Sequence, residues 1–293
     1  MTTLTTRRRH QTESGARVLL FVMLAPIIFF SACGESTIDA ATDAAVVGAS
    51  GILLQDDFET GNLGLPQPGG GSWGGSNAGS GDKVQVNTDL AKTGSYSLQL
   101  VFGGEVSGKD AWAEQRFELG GQYSEIWLKY DLFVPRNYYH RMDPPSANNK
   151  FLVHLWSGQY SGGPGLGGGF EVLPDGLGGS VLDFHPFRPD SSHIKDTVRG
   201  GVAIAPSDRG TWVKFICQIK AASPANNDGV VRVWKTPQGG TKTLIFERTD
   251  VKLYNSAGNF FERGYLLGWS NSGFTDTTTL NIDNITISNL PIQ

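Results

Sequence analysis

Asn149–Trp156 reads NKFLVHLW, and its alternation decides the fold. Phe151, Val153 and Leu155 fall on one side of an extended chain, while Lys150, Leu152, His154 and Trp156 fall on the other. Such a strand buries its apolar side and carries a cation, an imidazole and an indole on the other. That set suits the floor of a groove for a sugar polymer, although a strand whose polar face simply meets solvent gives the same pattern.

The same signal repeats on both sides of this stretch. KVQVNT, SYSLQLVFG, AWAEQRFEL, SEIWLKYDLFVP, GFEVLP, SVLDFHPF, TWVKFICQIKA, GVVRVWKT, TLIFER, GYLLGWSNS and TLNIDNITIS are β-prone runs separated by Gly, Pro, Asn or Asp clusters, and ILLQDDFETGNL before them reads as a strand and a turn. No amphipathic helix longer than two turns stands out, and no repeat occurs at a solenoid or propeller period. These features predict an all-β protein built as a two-sheet antiparallel β-sandwich, or jelly roll. Glycine supplies 39 of 293 residues, well above the usual ~7%, as many tight turns require. Residues 66–81 read as one long exposed loop containing Trp73, and the glycines of residues 158–169 as a hairpin connection. No helix with Lys and Ser or Thr follows those glycines, so they make no phosphate loop.

The chain divides into residues 1–33, 34–50 and 51–293. Arg7, Arg8, Arg9 and Arg17 precede residues 18–30, an apolar stretch too short to span a bilayer comfortably, and FSAC at residues 30–33 follows it. This end resembles the lipobox of bacterial lipoproteins, which implies a lipid-anchored Cys33 and an exported, envelope-bound protein; an ordinary cleaved signal also places the chain outside the cytoplasm. Residues 34–50, rich in Ala, Thr, Ser and Asp, form a tether. The only other cysteine, Cys217, alternates with Phe215 and Ile219 and is expected in the core, so no intrachain disulfide is predicted. A net charge of −4 with no basic run beyond the N-terminus excludes nucleic acid as a partner.

From about Leu53 to Ser288 the order of features resembles the concanavalin A-like lectin and glucanase superfamily, in its polysaccharide-lyase-like branch. The resemblance is carried by DDFETG, WAEQRFEL, NNKFLVHLW, RGTWVKF with DGVVRVW, and GYLLGWSNSGF leading into NIDNITIS. Jelly-roll alginate lyases carry R-[ST]-E-[LV]-R, to which Trp112 through Arg116 is similar with Glu114 and Arg116 kept. Their Q-[IV]-H is similar to Leu152, Val153 and His154. Their YFKAGVYNQ is similar to YLLGWSNS, with Asn271 kept and Ser270 where the family has its catalytic tyrosine.

The resemblance implies a polysaccharide lyase cleaving an extracellular uronic-acid polymer by β-elimination, which needs a neutraliser for the carboxylate, a base for the C5 proton and an acid for the leaving oxygen. Arg116 and Asn271 are the neutralisers with help from Lys150, His154 is the base, and Tyr265 or Tyr160 is the acid. His185, beside Asp183, and Glu114 complete the binding set. Trp156 and Trp269 are expected to face the sugar, drawn from an aromatic set that includes Trp73, Trp112, Tyr138 and Tyr139. No cofactor is needed for this catalysis. A structural calcium is implied for the early Asp57 and Glu59 with the late Asp283. Two readings compete on the same scaffold: a non-catalytic carbohydrate-binding surface lipoprotein, and, less favoured, a glycoside hydrolase or structural envelope protein. The superfamily's E-x-D-x-E glucanase run is absent, and Glu171 stands alone.

Overall fold

The computed structural model describes residues 51–293 except 65–66, 142–147, 159, 161–165, 188–192 and 255–257. The signal, the tether and Cys33 lie outside the described residues, among which no helix is long and apolar enough to cross a membrane.

Fifteen strands follow one another: β1 (Ile52–Asp56), β2 (Ser72–Ala78), β3 (Lys83–Asn87), β4 (Ser97–Phe102), β5 (Ala111–Tyr123), β6 (Glu125–Val134), β7 (Asn149–Trp156), β8 (Gly167–Pro174), β9 (Ser180–Pro186), β10 (Val202–Ile204), β11 (Thr211–Lys220), β12 (Gly229–Pro237), β13 (Thr243–Val251), β14 (Phe261–Ser270) and β15 (Thr278–Ser288). They form two antiparallel sheets. The back sheet runs β13-β12-β11-β6-β15-β4-β3, with β1 added beside β15, and the front sheet runs β10-β9-β8-β7-β14-β5-β2. The two-sheet sandwich expected from the sequence is therefore the observed fold.

Alternation explains the layers. On β11, Val213, Phe215, Cys217 and Ile219 enter the core while Lys214 points away. Phe151 of β7 meets Phe215 of the back sheet edge-on, with ring centroids 5.5 Å apart, and Phe170 of β8 meets Phe246 of β13 at 6.1 Å. Burying one such side chain contributes about 1.5–3 kcal/mol, and these rings lock the two sheets face to face. Cys217 is buried and unpaired, and burial pushes its thiol up to about 12.

Three expectations need correction. Residues 72–78 are strand β2 rather than loop, and Trp73 turns back so that its Nε1 donates to Asp56 Oδ2 at 2.7 Å and its ring lies against Phe58. Gly167, Gly168 and Gly169 are not connection but the start of β8, where an added Cβ would press into Phe187, Phe184 and the His154 ring respectively. Leu152 leaves the decorated side of β7: its φ of 53° marks a bulge between Phe151 and His154, and its side chain joins the core.

The acids named for calcium do not gather as ligands. Glu59 accepts backbone N–H bonds from Ser95 and Tyr96, Asp283 accepts them from Lys92 and Thr93, and Asp57 accepts one from Glu59. Glu59 and Asp283 thus tie residues 92–96 down directly.

Candidate active site

Strand register lines up five residues across the outer face of the front sheet. Arg116 on β5 pairs with Tyr265 on β14, Tyr265 with His154 on β7, His154 with Gly169 on β8, and Gly169 with His185 on β9. A parallel row holds Lys150, Glu171 and Asp183. Residues spread over about 150 positions of sequence, from Arg116 to Tyr265, thus share one surface, because each sits on the outward phase of its strand.

The middle of the first row is a slab of rings. His154 stacks on Tyr265 (4.9 Å, 12°) and on Phe187 (5.5 Å, 15°), and the missing Cβ of Gly169 leaves room for the imidazole. Trp156 closes in on Tyr265 at 5.7 Å, and Tyr160 lies over Trp156, Tyr265 and Phe187. The sequence reading placed His154 at the surface as a base. The structure buries it fully, gives neither ring nitrogen a hydrogen-bond partner among the described residues, and holds it neutral, since burial drives its pKa well below 6.5 with Lys150 and His185 acting in the same direction. It supports Tyr265 from beneath and does not meet a ligand. Trp156, expected to face the sugar, is buried under Tyr160, and Tyr138 is buried separately against Phe274 and His140.

Two hydroxyls stand above this slab. Tyr160 Oη and Tyr265 Oη lie 2.9 Å apart. Tyr265 is 1% exposed and burial lifts its phenol well above the ordinary value; Tyr160 is 43% exposed and lifted as well, with the hydrogen bond from Tyr265 and the charge of Arg116 pulling it back. Either hydroxyl can donate while both are protonated, Tyr265 is the donor once Tyr160 is ionised, and Tyr160 is the more exposed of the two.

Charge lies beside the hydroxyls and further along the same sheet face. The Arg116 side chain is 45% exposed and is held by Glu114, whose Oε1 accepts from Nε at 2.7 Å and from Asn77 at 3.1 Å. Glu114 is thus an anchor for the guanidinium rather than a sugar contact. Lys150 is paired with the buried Glu171 carboxylate; burial lowers its amine below the ordinary value, against the pull of Asp183. Asn271 reaches this pair through Asn148, which donates to Glu171 and accepts from Asn271. Beyond Arg116, Trp112 and Trp269 stack at 4.7 Å and 7°, and Trp269, 38% exposed, is fixed by a 2.7 Å bond from Nε1 to Asp110.

His185 and Asp183 are not each other's partners. His185 Nδ1 lies 3.3 Å from Glu171, and Asp183 faces His193 at 2.9 Å. Glu171, Asn148 and His193 are the residues that sequence reading missed as site members. Glu171 carried the signal of an acid on the outward phase of a strand; His193 sits in a connection with no period to read. Elsewhere, a cleft of about 650 Å³ opens on the back sheet, lined by Lys92, Lys129 and Lys214 with Asp56, Asp57 and Asp131, and it shares none of the front-sheet residues.

No family model matches the chain, and no curated protein matches it in sequence. Among solved structures, the endo-β-1,4-glucuronan lyase from the fungus Trichoderma reesei superposes with a TM-score of 0.53 at 13% identity, over 74% of this chain and 90% of that one. Alginate lyase vAL-1 from Chlorella virus gives 0.53 at 12% identity, over 81% and 99%. The cellulose induced protein Cip1 gives 0.51 at 17% identity, over 82% and 98%. At such identities the likeness is one of fold: a two-sheet jelly roll similar to that of these polysaccharide lyases.

Proposed function

We propose that this protein is an exported polysaccharide lyase, anchored through Cys33, that cleaves a uronate-containing polymer by β-elimination on the outer face of the front sheet. The observation that carries the reading is the Tyr160–Tyr265 hydroxyl pair beside the Arg116 guanidinium, above a water-excluding aromatic slab. Arg116 binds the uronate carboxylate, which makes the C5 proton easier to remove, and Lys150, on the next strand of the same face, adds to the positive field.

Tyr160 takes over the role that the sequence reading gave to His154. In its phenolate form, stabilised by the Tyr265 hydrogen bond and Arg116, it accepts the C5 proton. The C–H electrons form the C4–C5 double bond, the C4–O4 bond breaks, and the same hydroxyl returns the proton to O4. Because burial raises the Tyr160 pKa, the reactive form grows with pH and activity rises toward the alkaline side.

The test offers residues 51–293 a panel of alginate, glucuronan, pectate and glycosaminoglycans and follows ultraviolet absorbance of the unsaturated uronate product. Activity on one polymer should fall about 10²- to 10⁴-fold in Tyr160→Phe with little change in KM, the usual scale for losing an acid–base group. Arg116→Ala should raise KM.

A second reading rests on the exposed Trp112–Trp269 stack, a flat surface suited to the apolar face of a pyranose. Retention on one polymer in an affinity gel, without product from any, would make the protein a non-catalytic glycan-binding module.

A further inference from the structure

The structure assigns Glu171, His185 and His193 as a binding site for one divalent transition ion of the zinc class, at the β8–β9 side of the same sheet face. Among the described residues they are the one group of acids and imidazoles whose donor atoms all lie within 4.8 Å of one another. The inference does not depend on lyase activity.

The geometry is built rather than incidental. Glu171 is fully buried on β8, and His185 projects from the neighbouring strand. His193 follows β9 by a short connection and is held there because Ile194 and Phe184 exchange backbone hydrogen bonds of 2.8 and 3.0 Å. The two imidazoles stack at 4.4 Å and 20°, and this turns both Nδ1 atoms to the same carboxylate: His185 to Oε1 at 3.3 Å and His193 to Oε2 at 3.9 Å. The first is a long hydrogen bond and the second exceeds hydrogen-bonding distance. The first matches a tetrahedral edge, since bonds of about 2.0–2.1 Å from zinc to imidazole nitrogen or carboxylate oxygen put neighbouring ligand atoms roughly 3.3 Å apart, and the second is about 0.6 Å longer than that edge.

A separate observation points to a cation. Asp183 is 1% exposed, and neither of its carboxylate oxygens has a hydrogen-bond partner of acceptable geometry, although Oδ2 lies 2.9 Å from His193 Nδ1. Two buried carboxylates thus lie side by side on adjacent strands, Glu171 paired with Lys150 and Asp183 beside His193 and in the field of Lys195. An ion coordinated by Glu171 and both imidazoles supplies further positive charge, and Asp183 Oδ2, 2.9 Å from the same His193 Nδ1, lies beside the ion and adds to the negative field that holds it. Two nitrogen donors favour zinc, cobalt or nickel over calcium or magnesium, which take oxygen ligands. Three protein ligands leave a fourth position open, as in catalytic rather than structural zinc sites.

The test strips the protein with chelator and titrates it with Zn²⁺ by calorimetry and with Co²⁺ by its visible absorption. The expected result is one ion per chain and an intense cobalt spectrum of tetrahedral type. His193→Ala and His185→Ala should each abolish that spectrum, and Asp183→Asn, which removes a negative charge beside the ion, should weaken binding. The His193 side chain is 40% exposed, so its removal leaves folding intact even if a change at buried Glu171 does not. No stoichiometric uptake, uptake unchanged in His193→Ala, or preference for Ca²⁺ would overturn the assignment. A protein that binds zinc yet releases no unsaturated product would refute the lyase and keep the ion site.

Discussion

Acid should destabilise this fold through a single buried imidazole. His154 is fully buried, its nitrogens have no partner among the described residues, and it is held neutral well below its ordinary value of 6.5. As the pH falls through that value the unfolded chain binds a proton that the native chain refuses, so stability drops, with a slope of about 1.4 kcal/mol per pH unit for one proton. With the native imidazole still neutral at about pH 5, the loss relative to neutral pH is about 2 kcal/mol. His185 also has a lowered pKa and adds a smaller loss of the same sign, being partly exposed and close to Lys150. Asp56, Asp183 and Asp283 have raised pKa values, so their protonation at lower pH acts in the opposite sense.

A variant that removes only His154 isolates its share. Urea unfolding of wild type and His154→Gln, in chelator and followed by tryptophan fluorescence, gives two stability curves between about pH 7.5 and pH 5. The wild type should lose about 2 kcal/mol more than the variant over that interval, whatever their difference at neutral pH. Parallel curves would refute the reasoning, because they would mean that the native imidazole titrates as freely as the unfolded one.

Three other perturbations probe the scaffold under the site. Gly169→Ala sets a methyl group against the His154 ring and should cost about 1–3 kcal/mol by overpacking, read as a shift in the urea midpoint without a change in slope. Phe170→Ala removes a ring that packs on Phe184 and, across the sandwich, on Phe246; the expected loss is about 3–5 kcal/mol, and a loss below about 1 kcal/mol would contradict the packing. Cys217, buried and with its thiol pushed up to about 12, should react with a thiol reagent at mildly alkaline pH only as fast as the protein unfolds, so added urea should accelerate labelling.

Period-two patterning exposed most of the fold because each strand buries one phase against a single core: β11 could be read from Val213, Phe215, Cys217 and Ile219 alone. The strands that patterning missed show what it requires. β2 is written SWGGSNA, with no apolar phase, and exists because β5 offers it an edge; β10 has three residues. The site was legible to the same depth. Alternation put Arg116, Tyr265, His154, Lys150 and His185 on outward phases, which they occupy, but outward from the sheet is not the same as exposed to solvent. Whether an outward residue meets water depends on what the loops lay over it, and Phe187 covers His154 while Tyr160 covers Tyr265, both from connections with no period of their own. Pairing is decided one level further up. Lys150 meets Glu171, and Glu171 meets His185 and His193, because β7, β8, β9 and the connection after β9 are neighbours in one register, a relation no single strand encodes. Asp183 and His185, two apart in sequence, thus point to different partners, and adjacency along a strand is a weaker guide to a catalytic or metal-binding pair than adjacency across it.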